Sequence, residues 1–102
     1  MNRLESLLNM LKESPEDPFL IYGLALEYHK TNLQKAKGYF DQLLNEHPDY
    51  VATYYHAGSL YEELDDEDTA KTIYAKGMEV SKAAGDQHAY GELKTVFDML
   101  DF

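Results

Sequence analysis

Two halves of this chain repeat each other. Ile21-x-x-Leu24-Ala25-x-x-Tyr28 returns 33 residues later as Tyr54-x-x-Ala57-Gly58-x-x-Tyr61. A second pattern, Ala36-x-x-x-Phe40-x-x-Leu43, returns 34 residues later as Ala70-x-x-x-Tyr74-x-x-Gly77. Pro15 and Pro48 punctuate the two copies, also 33 apart. Spacings of three and four are helical, and a period of this length fits a helix, a turn and a second helix. Such a unit cannot bury its apolar face alone, so neighbouring units must pack on one another.

The small residues say how closely. Antiparallel helices approach to about 8–10 Å only where the contact side chains permit it. Glycine inside a helix costs about 1 kcal/mol against alanine, so Gly58 and Gly77 need a packing reason. Ala25, Ala36 and Ala70 occupy the matching places, and Tyr28, Tyr61, Phe40 and Tyr74 are expected to fill the space around each close contact.

All long segments read as helix, with prolines only at 15, 18 and 48. Asn2 caps a first helix, Glu5 completing a capping box, and Leu4, Leu7, Leu8 and Leu11 form its stripe up to Ser14-Pro15. Asp17 caps the second, with Pro18 in its first turn and Ile21, Leu24, Ala25 and Tyr28 facing inward. After the turn at Thr31-Asn32, a third helix from Leu33 to Glu46 buries Ala36, Phe40, Leu43 and Leu44. Pro48-Asp49 breaks the chain. A fourth helix carries Tyr54, Ala57, Gly58, Tyr61 and Leu64. Asp65 or Asp66 caps a fifth, which buries Ala70, Ile73, Tyr74, Gly77 and Val80. Gly85 stops it, and Asp86 caps a sixth with Tyr90, Leu93, Phe97 and Leu100 inside.

This pattern resembles the tetratricopeptide repeat, strongly over residues 15–83 and weakly at the ends. It departs in having Ile21 and Tyr54 where the family prefers tryptophan, and in a first repeat one residue shorter between its helices. The resemblance implies an all-α fold, in which antiparallel helix-turn-helix repeats form a short right-handed α-solenoid of about six helices. Shifted by 33 residues, Leu7 falls on Phe40, Met10 on Leu43 and Glu13 on Glu46, so the first helix matches the second half of a repeat. Tyr90, Leu93 and Phe97 match Tyr54, Ala57 and Tyr61, with Lys94 in the place of Gly58. One domain over 1–102 is expected: an N-terminal cap helix at 1–14, repeats at 15–47 and 48–83, and a C-terminal capping helix at 84–102. Caps at both ends predict a complete unit rather than a slice of a longer array.

Composition narrows the partners. Net charge is −10, from 19 acids against 9 bases. Such a field repels phosphate backbones and anionic headgroups, which argues against nucleic acid and membrane. A protein or peptide partner, with an apolar or basic segment favoured, is the permitted class. No run approaches the roughly 20 apolar residues of a membrane span, and Arg3, Glu5, Asn9 and Lys12 interrupt any leader-like stretch. The absence of cysteine removes disulfide and thiolate chemistry, and a cytoplasmic location is the expectation.

In the family the first helix of each repeat lines a peptide-binding groove. Carried over on the Ala25 and Gly58 registers, the groove would show Phe19, Tyr22, Leu26 and His29 from one repeat. Ala52, Tyr55, His56, Ser59 and Glu62 would come from the next, with His88 and Gly91 from the C-terminal cap. This is an aromatic, mildly acidic surface, and tyrosines offer rigid amphipathic contact area. Members that hold a C-terminal carboxylate use cationic side chains where this chain has Tyr22, Leu26, His56, His88 and Glu92, so an acidic tail is not the expected ligand.

The expected function is a non-catalytic interaction module, with a self-associating subunit, paired through the outer face of residues 1–14, as the rival. His56, Ser59 and Glu62 or Glu63 share a helical face, but mid-helix backbone N–H groups are already bonded and cannot form an oxyanion hole. No cofactor is expected. Six of the seven residues from Glu62 to Asp68 are acidic, yet the run lacks the glycine turn of a calcium loop. Its expected roles are capping and steering of a basic partner, and the four histidines show no ligand spacing.

Overall fold

Short polar side chains decide where the helices begin. Residues 2–100 are described in the computed structural model, and six helices and no strand occur among them. Asn2 accepts from the N–H of Glu5 at the start of α1 (Arg3–Glu13). Asp17 accepts from Phe19 at the start of α2 (Pro18–His29), with Pro18 in the first turn, where a missing N–H costs nothing. Asn32 accepts from Lys35 and opens α3 (Leu33–Glu46). Asp66 takes two bonds from Thr69, one from N–H and one from Oγ1, and opens α5 (Glu67–Ala84). Asp86 accepts from Ala89 near the start of α6 (Gln87–Leu100). The exception is α4 (Thr53–Glu63), which has Ala52 at its cap and no side-chain cap bond.

The first unit ends at His47 and holds α1, α2 and α3. Only residues 30–32 join α2 to α3, and the two helices pack together, so they run antiparallel. Leu7, Leu20 and Leu24 form a buried cluster, with Leu4, Leu8, Leu11, Tyr28 and Tyr39 packed against it. Ala25, Ala36, Phe40 and Leu43 are fully buried. Gly23 lets α1 in: a Cβ there would lie 3.2 Å from a Leu7 methyl.

The second unit begins at Pro48, and α5 packs against both α4 and α6. Two tyrosine rings lie across two glycines. A Cβ on Gly58 would stand 2.1 Å from Cε1 of Tyr74, and one on Gly77 would stand 2.5 Å from Cβ of Tyr54 and 3.0 Å from a Leu93 methyl. The helices therefore meet through rings laid on bare backbone. Both phenols are satisfied, Tyr54 donating to the carbonyl of Pro48 and Tyr74 to the Glu62 carboxylate, each at 2.5 Å.

Several expectations change. Tyr28, Leu44, Leu64, Val80, Tyr90, Phe97 and Leu100 are half-buried rather than inside. Tyr28 instead stacks on Tyr39 at 5.7 Å, with the Lys35 ammonium 5.2 Å above its ring, and Phe97 lies beneath Lys71. Met10, matched by register to the buried Leu43, is 47% exposed. Residues 30–32 and 64–66 are connections of equal length, so the extra residue of the second copy belongs to α4, which runs one position further past Gly58 than α2 runs past Ala25. Its turn also differs: Asp65 takes a left-handed φ of 60°, leaving Asp66 as the cap.

Candidate functional site

α2 is apolar around nearly its whole circumference, with Glu27 and His29 its only charged or strongly polar side chains. A helix of that kind is normally enclosed on all sides. Here one side is enclosed and one is not. Leu20, Ile21, Gly23, Leu24 and Ala25 are buried, while Phe19 is 60% exposed and Tyr22, Leu26 and His29 are half-buried. The accessible residues step by three and four along one stripe, as the expected register requires. His29 is partly committed to packing, its ring meeting Phe40 edge-on at 6.0 Å.

On the second unit, the same register on α4 leaves Tyr55 39% exposed and His56, Ser59 and Glu62 half-buried, beside buried Tyr54, Ala57, Gly58 and Tyr61. The rings of Tyr55 and His56 meet edge-on at 5.5 Å, which fixes both on the helix surface. Ala52, His88 and Gly91 are exposed. All eight candidate side chains thus reach solvent, four on each unit.

Tyr74 is the residue that sequence reading did not assign to the site. Its hydroxyl holds the Glu62 carboxylate from α5, so the one acid in the candidate set is oriented from below. Burial, and then the Glu62 bond, push the Tyr74 phenol far above its usual value, and it stays a donor at any physiological pH. Twelve residues separate the pair, a distance that no helical spacing rule flags.

The acidic run divides between roles. Asp66 caps α5, Glu67 and Asp68 sit in its first turn at the positive end of the helix dipole, and Glu62 binds Tyr74. Among the described residues, the run assembles no group of three metal-ligating side chains; Glu16, Glu46 and His47 do. α4 is unbroken through His56, Ser59 and Glu62, so the N–H groups beneath them close helical bonds and leave no oxyanion hole there. His88 instead pairs with Glu92, at 3.3 Å on α6. No helix among the described residues is long and apolar enough to cross a membrane.

Comparison with known proteins gives concordant results. The family model described as tetratricopeptide repeat matches residues 19–50 and 52–76. The crystal structure of a tetratricopeptide repeat domain protein from Salinibacter ruber is 43% identical, with a TM-score of 0.80 over 83% of this chain and 96% of that one. A solution NMR structure of a tetratricopeptide repeat domain protein from Salinibacter ruber gives 45% identity and a TM-score of 0.81, over 84% of this chain and 88% of that one. No curated protein matches the chain.

Proposed function

The chain belongs to the tetratricopeptide repeat family, and from that premise we propose that it is a non-catalytic adaptor that grips a protein or peptide segment through the accessible stripes of α2 and α4. Repeats of this family generally mediate protein–protein interaction. The observation that carries the reading is the open side of α2. Leaving Phe19 60% exposed forgoes about 1–2 kcal/mol of burial, a loss a bound partner would recover. Tyr22, Leu26 and His29 extend the contact on the first unit. Tyr55, His56, Ser59 and Glu62 offer a second stripe on the other unit, with the carboxylate pre-positioned by Tyr74.

The preferred ligand is an apolar segment carrying basic residues. Net charge of −10 favours such a ligand over an acidic one, and the 62–68 run adds steering. Residues 1–14 and 84–102 act as caps in this reading, with 15–47 and 48–83 as the repeats. The test is capture from source lysate by wild type and by Phe19→Ala/Tyr55→Ala. Both side chains are exposed, so folding should be unchanged within about 0.5 kcal/mol. A partner held by the wild type and lost by the variant supports the stripes; equal capture by both contradicts them.

A second reading rests on α1. Met10 is exposed, and Leu8, Leu11 and Pro15 line a shallow hollow with Glu5 at one end and Lys12 at the other. Under a two-fold axis, each Glu5 would face the Lys12 of a second copy, so this face is self-complementary in charge. A mass that rises with concentration in light scattering, and falls back in Met10→Glu, supports self-association; a constant monomer mass removes it.

A further inference from the structure

We propose that Glu16, Glu46 and His47 form a site for a divalent transition metal of the zinc class in the first unit, independent of the stripes on α2 and α4. Glu16 lies in the turn between α1 and α2, Glu46 ends α3, and His47 is its C-cap. One oxygen from each carboxylate and one ring nitrogen of His47 lie within 4.8 Å of one another. Glu16 and Glu46 are thirty residues apart, so the grouping is a product of folding and has no ligand spacing to read.

Three features of the grouping point to a cation. Two carboxylates held this close repel, and a divalent ion between them turns the repulsion into attraction. The carbonyls that end α3 lie at the negative pole of its dipole, which favours positive charge at this place. The third feature concerns the ring itself: Nε2 of His47 is shut off from solvent and has no hydrogen-bond partner. A desolvated imidazole nitrogen without a partner is costly to leave as it is, and a metal bond is one of the few ways to satisfy it.

The donor set selects the ion. Imidazole suits zinc, nickel or copper, whereas magnesium and calcium prefer oxygen ligands alone. Zinc–ligand bonds of about 2.0–2.2 Å require the three donors to draw together slightly, which exposed glutamates at a turn and a helix end can do. Three protein ligands leave a fourth position to water. Bound metal would tie the α1–α2 turn to the end of α3, so metal and folding of the first unit are linked.

Zinc chloride titrated into the full chain by calorimetry, in a non-chelating buffer, tests the assignment. The expected result is one zinc per chain, with the amide resonances of Ser14, Glu16, Asp17 and residues 44–47 shifting in a parallel NMR titration. Glu16→Gln and His47→Gln should each weaken binding at least about tenfold, since even changes behind a ligand cost that much. His88→Gln, which removes an imidazole paired with Glu92 on α6, should bind as the wild type does. Glu16 is exposed in a turn, so its variant keeps the test valid even if His47→Gln fails to fold. Absence of zinc binding up to about 1 mM, a Kd worth about 4 kcal/mol, overturns the proposal. So does unchanged binding in Glu16→Gln, loss in His88→Gln, or magnesium binding as tight as zinc.

Discussion

At the scale of single residues, the second unit rests on two glycines and the tyrosines laid across them. Gly58→Ala would gain about 1 kcal/mol of helix propensity, yet it would drive a methyl into a Tyr74 ring that is buried and tied to Glu62. Overpacking costs about 1–3 kcal/mol, and here the ring has no free direction, so the balance is destabilising. Gly38→Ala should do the reverse, gaining about 1 kcal/mol, because a Cβ there meets nothing within 4 Å. Urea midpoints of the two variants should move in opposite directions. The sequence announces that Gly58 and Gly77 need a packing reason but not which ring covers which, because Tyr54, Tyr55, Tyr61 and Tyr74 all lie on the same two helices and the crossed pairing of 58 with 74 and 77 with 54 exists only once α4 lies on α5. The tyrosines also set a pH limit. Burial first, then Glu62, raises Tyr74, and burial first, then Asp49, raises Tyr54. In the unfolded chain both phenols ionise near pH 10, so above that pH unfolding releases protons. Stability is therefore held below about pH 10 and lost as pH rises through and beyond it. A urea midpoint that stayed constant from about pH 8 to about pH 11 would contradict this.

Among the elements, starts and stops follow from local chemistry. Asn2, Asp17, Asn32, Asp66 and Asp86 sit where short polar side chains can reach a free N–H; sequence neighbours reveal Asn2, Asp17 and Asp86, whereas Asn32 reads only as part of a turn and Asp66 is told from Asp65 only by the turn's backbone. No side chain caps α4, so its start carries no local signal; the segment before it is fastened by the Tyr54 hydroxyl to Pro48, a bond made from inside the helix. Two turn residues of different type share the left-handed conformation. Asp65 adopts φ 60° and Gly85 φ 74°, but only glycine does so without strain. Asp65→Gly should stabilise by up to about 1 kcal/mol and Gly85→Ala should destabilise by about 1 kcal/mol. Asp66→Ala should cost about 0.5–2 kcal/mol through the lost cap of α5. Thermal melts of the three variants check the signs. Which residues of α2 and α4 stay accessible follows from the repeat register. The seating of Met10 does not, since register transfers position and not the neighbour that covers it.

For the whole molecule, the repeat and the charge together exclude more than they specify. A surplus of ten negative charges disfavours anionic ligands by repulsion, while the repeat sets which helices share a register. Neither names the partner, because a repeat register and a net charge are shared by chains whose exposed side chains differ. The Glu16, Glu46 and His47 grouping was illegible for a related reason, joining residues that the chain separates widely. The central claim is that the stripes on α2 and α4 are the contact surface. A photo-reactive phenylalanine analogue placed at Phe19 or Tyr55, and at the exposed Gln34 and Lys76 as controls, tests it in cells of the source organism. If these stripes are the contact surface, a discrete crosslinked protein forms from positions 19 and 55, weakened by added salt, and none from positions 34 and 76. Crosslinks confined to the control positions would contradict it.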